Sequence, residues 1–379
     1  MKSIISIITH ITGKKRALEQ IHSTRFCAEG GPIMNVHTFE LSTVVDYGTY
    51  CELAKLSYPD KRNEHRRICD RLTRCGIWIT LYASNNQQYK FWKTYHVYYR
   101  INPHRLYEQG DYLGLHRANE LISTISEINH KLAEVSEYFP QIELCKLVRC
   151  DFCVNATTPS KEFVEDIIGI ANRSFASVIS KNYEQKKDYN RKANRYSLPK
   201  HEATFSKSYS TGQKAVEASV YDKAWQLQQF KTPQAVDTNI LRCEMRCFRS
   251  YIKRLSKKFR CDDIIGFFLK AEEIGNYVFK WQLKKLGLNK EFVRLPVMSS
   301  IIEISNYKQK VKCELIETAD AAARHRSLAV SLSGLPIDEA KKQVKKFGKL
   351  GISPMPIPHN AAIPNFFNFR EWVMEFARY

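Results

Sequence analysis

Three runs of the chain alternate apolar side chains with groups that could do phosphate chemistry. In LVRCDFCVNA (147–156), Arg149 and Asp151 fall on one parity, and Val148, Cys150, Phe152 and Val154 on the other. In VEASVYDK (216–223), Glu217, Ser219, Tyr221 and Lys223 oppose Val216, Ala218 and Val220. In LRCEMRC (241–247), Arg242, Glu244 and Arg246 oppose Leu241, Cys243, Met245 and Cys247. Side chains alternate along a strand, so each run offers one apolar and one charged face. If the three share a sheet, the charged faces merge. Asp151 and Glu244, with Glu217 as a third candidate, then supply oxygen ligands suited to Mg2+ or Mn2+, an ion that would polarise a phosphate oxygen. Tyr221 offers a nucleophile, which at its ordinary pKa of ~10 needs a nearby cation or base. Lys223, two residues along the same strand, is placed to be that cation, and Arg149, Arg242 or Arg246 to hold a scissile phosphate. A solvated sheet face lined with surface ion pairs would show the same alternation.

The surrounding elements are read from turn residues and periodicity. Gly76–Tyr82 and Phe91–Ile101 are expected to form a hairpin around Ser84-Asn85-Asn86, ended by Asn102-Pro103. Leu121, Ile125, Ile128, Leu132, Val135 and Phe139 recur at spacings of four and three, which predicts an amphipathic helix. A strand over 143–155 follows, then a helix entered through Thr158-Pro159 that turns Phe163, Ile167, Ile170 and Val178 inward. Strands over 215–221 and 239–248 flank a short helix-like segment beginning near Asp222. The expected fold is α+β: a mainly antiparallel sheet with helices on one face and the charged groups on the other. After about Ser256 the pattern is mostly helical, with Pro296 and the stretch Pro354 to Pro364 as boundaries. The expected division is a domain over 34–255 and a helical region over 256–379, accessory or DNA-binding. Residues 1–33 are an upstream extension or a dispensable arm. Their apolar run contains Thr9 and His10, and Gly13-Lys14-Lys15-Arg16 follows where an export signal would have a small-residue cleavage site.

Charge narrows the class of partner. The 379 residues hold 59 Lys and Arg against 39 Asp and Glu, a formal net charge of +20, which points to a polyanion. No stretch approaches the ~18 consecutive apolar residues of a membrane span, so nucleic acid is the expected partner and membrane is not. Eleven cysteines without a framework fit reduced thiols. Cys150 and Cys153 form a CxxC, but three residues apart on a strand they face opposite ways and cannot share a metal.

Taken in order, the three runs resemble segments of the gene II/gene X replication proteins of filamentous phages, relatives of plasmid rolling-circle initiators. LVRCDFCVNA (147–156) resembles the family's Arg-x-Asp strand, ILRCEMRCFRSYIKRL (240–255) its Arg-x-Glu strand, and VEASVYDKAWQLQ (216–228) its Tyr-x-Lys segment. INPHRLYEQGDYLG (101–114) resembles the strand, Asn/Ser-Pro and Gly-rich exit. The likeness covers roughly 34–310. It implies a site-specific nicking and strand-transfer enzyme that starts rolling-circle replication of a phage or plasmid in the cytoplasm of a bacterial host. Tyr221 would be its nucleophile, Lys223 the companion, and Asp151 and Glu244 the Mg2+ or Mn2+ ligands. Implied partners are single- and double-stranded origin DNA, a host helicase and a DNA polymerase. Unlike wider rolling-circle nucleases the chain has no His-x-His pair, which leaves His96 or His104 as added candidates. The absence of GxxxxGK[ST] fits a reaction that stores bond energy in a phosphotyrosine.

Two stretches look like DNA contacts. Between Lys181 and Lys200, basic residues including Lys186, Lys187, Arg191 and Lys192 alternate with Tyr183, Tyr189 and Tyr196, a pattern for tracking phosphates and stacking bases. Arg249, Lys253 and Arg254 open the second, and Lys341 to Lys349 hold a weaker one. The rival reading is an origin-binding or repressor protein that binds DNA and cuts nothing. A tyrosine recombinase is disfavoured, because the His-x-x-Arg spacing occurs at His22–Arg25, too early in the chain.

Overall fold

A computed structural model describes residues 34–59, 66–68, 70–85, 93–109, 111–180, 182–190, 195–208, 212–230 and 238–376. The arm 1–33, the turn at Asn86, and Arg191 and Lys192 lie outside the described residues. The described residues form one compact unit.

The strands in chain order are β1 (Asn35–Val45), β2 (Ser57–Pro59), β3 (Arg66–Ile68), β4 (Ile77–Asn85), β5 (Lys93–Ile101), β6 (His116–Arg117) and β7 (Lys146–Thr157). They continue as β8 (Tyr183–Gln185), β9 (Asp188–Asn190), β10 (Arg195–Ser197), β11 (Glu202–Ser208), β12 (Lys214–Asp222) and β13 (Ile240–Phe248). One sheet runs β2-β3-β4-β5-β1-β7-β13-β12-β11-β8, with β6 added beside β1. The pairings are antiparallel, so the fold is α+β as expected. β9 and β10 pair as a separate ribbon.

The apolar parity of the sheet faces the helices. Phe39 meets Phe268 edge to face at 5.0 Å, and Met34, Phe152, Met245 and Val220 join the same core as Val278 and Phe279. Helix Ala271–Lys285 presses so closely that a Cβ on Gly275 would lie 2.4 Å from Met34 Cγ and 2.7 Å from Phe152 Cδ1. The helical region after 256 therefore shares its core with the strands, and position 255/256 falls inside helix Arg249–Phe259. A second, smaller core around Met298, Ile302, Leu315 and Phe347 gathers part of that region. No helix among the described residues is long and apolar enough to cross a membrane.

Two helices are shorter than their apolar periodicity. The first spans Leu121–Ala133, yet Phe139 is still buried beyond it, in an irregular segment where Pro140 disfavours helical backbone at residue 139. The second spans Lys161–Ser174 behind a Ser160 cap, and Phe175 is already extended, so Val178 packs on the core from outside a helix.

Candidate functional site

Three rungs of the sheet carry the predicted groups. Tyr221 on β12 pairs with Arg242 on β13, which pairs with Asn155 on β7. One rung along stand Ser219, Glu244 and Cys153, and the next holds Glu217, Arg246 and Asp151, continued by Thr38 on β1. The alternation thus brings Asp151, Glu217, Tyr221, Arg242, Glu244 and Arg246 onto one face. Cys150 registers with Phe39 and Cys247, and Cys153 with Glu244, so the CxxC splits between faces as expected.

Lys223 departs from its expected place. Asp222 accepts a hydrogen bond from Trp225 N at 3.1 Å and caps a helix, so Lys223 is the first residue of Lys223–Gln229 and not a strand residue. It is still buried, and its Nζ donates to Gln226 Oε1 at 2.8 Å. Burial, reinforced by the positive charge of Arg242, brings its pKa down to about 7. The partner of the tyrosine is instead Glu244: Tyr221 Oη donates to Glu244 Oε2 at 2.7 Å. Burial and the Glu244 charge push the phenol well above its ordinary value, so it carries its proton at neutral pH.

The carboxylates are divided among the arginines. Arg149 grips Asp151 with two hydrogen bonds, Nε to Oδ1 at 2.7 Å and Nη2 to Oδ2 at 2.5 Å, and reaches Glu40 at 3.0 Å. Arg246 donates to Glu244 at 2.6 Å and to Glu217 at 2.7 Å. The other oxygen of Glu217 accepts from Lys214 at 2.7 Å and Ser206 at 2.9 Å. Both oxygens of Glu217 are occupied, as are both of Asp151 and of Glu244, so what sets Glu217 apart is position: its carboxylate does not share the 4.8 Å neighbourhood that His37, Asp151 and Glu244 form. Arg149 and Arg246 serve carboxylates. Arg242, fully buried, donates to Asn155 Oδ1 at 2.7 Å and to the Leu113 carbonyl at 2.6 Å, and its Nη1 has no hydrogen-bond partner among the described residues.

The group able to hold a metal adds a residue the spacing did not reveal. Donor atoms of His37, Asp151 and Glu244 all lie within 4.8 Å of one another. His37 sits at a β-bulge in β1, between Val36, opposite Phe152, and Thr38, opposite Asp151, which turns its ring toward the carboxylates. Burial, then Arg242, lowers its pKa to about 3, so the imidazole is neutral and has a lone pair to offer. Burial alone would raise Glu244, but Arg246 and His37 override it and hold the carboxyl well below the usual range. Asp151 goes the other way: burial outweighs Arg149, and with repulsion from Glu244 it is pushed up to about 7. One imidazole and two carboxylates, one of them costly to ionise without a cation, fit a hard divalent ion such as Mn2+ or Mg2+.

The other candidates lie apart. His96 stacks on Tyr82 at 4.6 Å and contacts Ser84 at 3.0 Å. His104 pairs with Asp111 at 2.7 Å and belongs to a separate group with Glu108. In the 181–200 stretch, Lys186 pairs with Glu202, Lys187 and Tyr189 are exposed, and Tyr183 is buried on the helix side, which removes it from the expected stacking series. Arg249, Lys253 and Arg254 are exposed.

No protein-family model matches the chain, and no curated protein matches it significantly.

Proposed function

We propose that the protein is a DNA nicking and strand-transfer enzyme that works through Tyr221 and a divalent metal ion. The observation that supports this best is the Tyr221 hydroxyl 2.7 Å from Glu244, a member of the His37, Asp151 and Glu244 group. In the proposed reaction Tyr221 Oη bonds to the phosphorus of one phosphodiester, and the bond to the 3′-oxygen breaks. A 5′-phosphotyrosine and a 3′-hydroxyl result. Glu244, which accepts the phenolic hydrogen bond, orients the phenol and relays its proton to the departing 3′-oxygen, which leaves as the hydroxyl. Arg242 receives the phosphate on its unpartnered Nη1. A bound Mg2+ or Mn2+ would supply Lewis-acid stabilisation of the charge that develops on the phosphate oxygens. Tyr221 is 4% exposed and the Leu113 carbonyl accepts from both Asn155 and Arg242, so the segment around Leu113 must shift for a strand to enter.

The resemblance to gene II/gene X proteins supports the same reading and extends it to rolling-circle initiation in a bacterial host, with origin DNA, helicase and polymerase as partners. A second reading rests on the saturation of Asp151 and Glu217 by basic residues: the face is then a structural ion-pair lattice, and the chain binds DNA without cutting. One experiment separates them. The chain is incubated with a randomised single-stranded oligonucleotide library and Mn2+ or Mg2+, and denaturing gels and peptide mass spectrometry look for DNA on Tyr221. A metal-dependent adduct there supports transfer. An adduct on another residue removes Tyr221 from the role, and tight binding without any adduct leaves the second reading.

A further inference from the structure

A cavity of about 320 Å3 opens on the other side of the sheet, near the β8 edge. Its lining includes Lys207 and Val216, which pair across β11 and β12, and residues of helices Arg249–Phe259 and Ala271–Lys285. Val216 has the parity opposite to Glu217, so the cavity faces away from Asp151 and Glu244. Lys207, Arg254, Lys258 and Lys285 line it, and no carboxylate does. None of the three lysines pairs with an acid among the described residues. The aromatic part is built rather than incidental. Gln282, 1% exposed, accepts from Tyr183 Oη and donates to Tyr251 Oη at 3.0 Å, fixing both rings. Above them Trp281, 39% exposed, stacks with Tyr277 at an interplanar angle of 11°. Lys258 lies 4.7 Å from the Tyr277 ring and Lys285 4.8 Å from the Trp281 ring.

Lysines gathered without a paired acid repel one another, and an anion entering among them relieves that repulsion. A half-exposed indole beside them offers a flat apolar surface. Phosphate and nucleobase are the chemistry that satisfies both, and the volume lies near the lower end of the ~300–1,000 Å3 range of small-ligand sites, room for a single nucleotide. We propose that this cavity holds one nucleotide of single-stranded DNA, with its base stacked on Trp281 and its phosphates between Lys207, Lys258 and Lys285. The choice of a strand over a free nucleotide rests on the strand-transfer reading. A grip on the far face would hold unpaired DNA clear of the carboxylates that repel it.

The test uses the full chain and a fluorescent oligo-dT of about twelve nucleotides, followed by anisotropy over a range of salt. Trp281→Ala weakens binding roughly tenfold, as expected for removal of one base stack, and Trp281→Phe restores most of it. The double variant Lys258→Glu with Lys285→Glu flattens the dependence of log K on log salt by about 0.7 for each phosphate that is no longer neutralised. Lys308→Glu with Lys310→Glu, an equal charge change on exposed residues at the start of helix Gln309–His325, leaves that slope unchanged. Melting curves confirm that each variant is folded. Wild-type binding by folded Trp281→Ala, or equal slopes in the two charge variants, overturns the proposal. Displacement of the oligonucleotide by dTMP at equal nucleotide concentration overturns the strand assignment. Binding that depends on Trp281 with no Tyr221 adduct sinks strand transfer alone, whereas adduct formation with binding indifferent to these variants sinks the cavity alone.

Discussion

Metal binding should release one proton below pH 7 and none above it. Of the three donors, His37 with its pKa at about 3 is already neutral at pH 5, and Glu244 is already ionised, so Asp151 alone has a proton to lose. Its pKa is raised to about 7, so the sign is that of an acid held neutral. The protonated form is favoured below that value and competes with the ion. At pH 6 about one Asp151 in eleven is ionised, which weakens ion affinity about tenfold from its plateau, and at pH 5 about a hundredfold, or about 1.4 kcal/mol per pH unit. Titration calorimetry with Mn2+ in two buffers of different ionisation enthalpy measures both affinity and proton release. The expected profile has a slope of one between pH 5 and 7 and flattens above. Asp151→Asn lowers the plateau and abolishes the slope. A slope of two, or unchanged pH dependence in Asp151→Asn, would refute the assignment of Asp151 as the titrating ligand, and no Mn2+ binding at pH 8 would refute the site.

Tyr221→Phe removes only the attacking oxygen and the donor to Glu244, so DNA adducts should vanish in the denaturing gel while binding of oligo-dT stays within about twofold. Arg242→Lys keeps the charge but loses the fork that holds Asn155 and Leu113, and should lower adduct formation by roughly a hundredfold, read from initial rates. Lys223→Met should raise the melting temperature most below pH 7, where the wild type buries a charged amine. Because the folded pKa of about 7 is depressed from 10.5, wild-type stability from this group rises as pH goes from 7 toward 10.5, and the advantage of the variant should fade over that window. Gly275→Ala gains about 1 kcal/mol of helix propensity but meets Met34 and Phe152, and overpacking of about 1–3 kcal/mol should dominate as a net loss in urea unfolding.

What the sequence made legible follows from one rule, the two-residue period of a strand, and so do the failures. The period placed Asp151, Glu217, Tyr221, Arg242, Glu244 and Arg246 on a common face because β7, β13 and β12 are regular there and adjacent. It failed at Lys223, where the Asp222 cap turns strand into helix one residue before the alternation was assumed to end. It missed His37 because a bulge interrupts the period. The trace was present: the buried apolar residues Met34 and Val36 are even, Phe39 and Leu41 odd, and a strand can bury both sets on one side only by inserting an unpaired residue between them. In sequence that change of phase narrows the unpaired residue to His37 or Thr38, and the pairing with β7 settles on His37. No such trace exists for the division of the carboxylates. Glu217 and Glu244 share a face and both touch Arg246, yet Glu217 also meets Lys214 and Ser206 while Glu244 meets Tyr221 and approaches His37. Which acid lies beside His37 and Asp151 is decided by neighbouring strands, and those are fixed by register, a property of the assembled sheet.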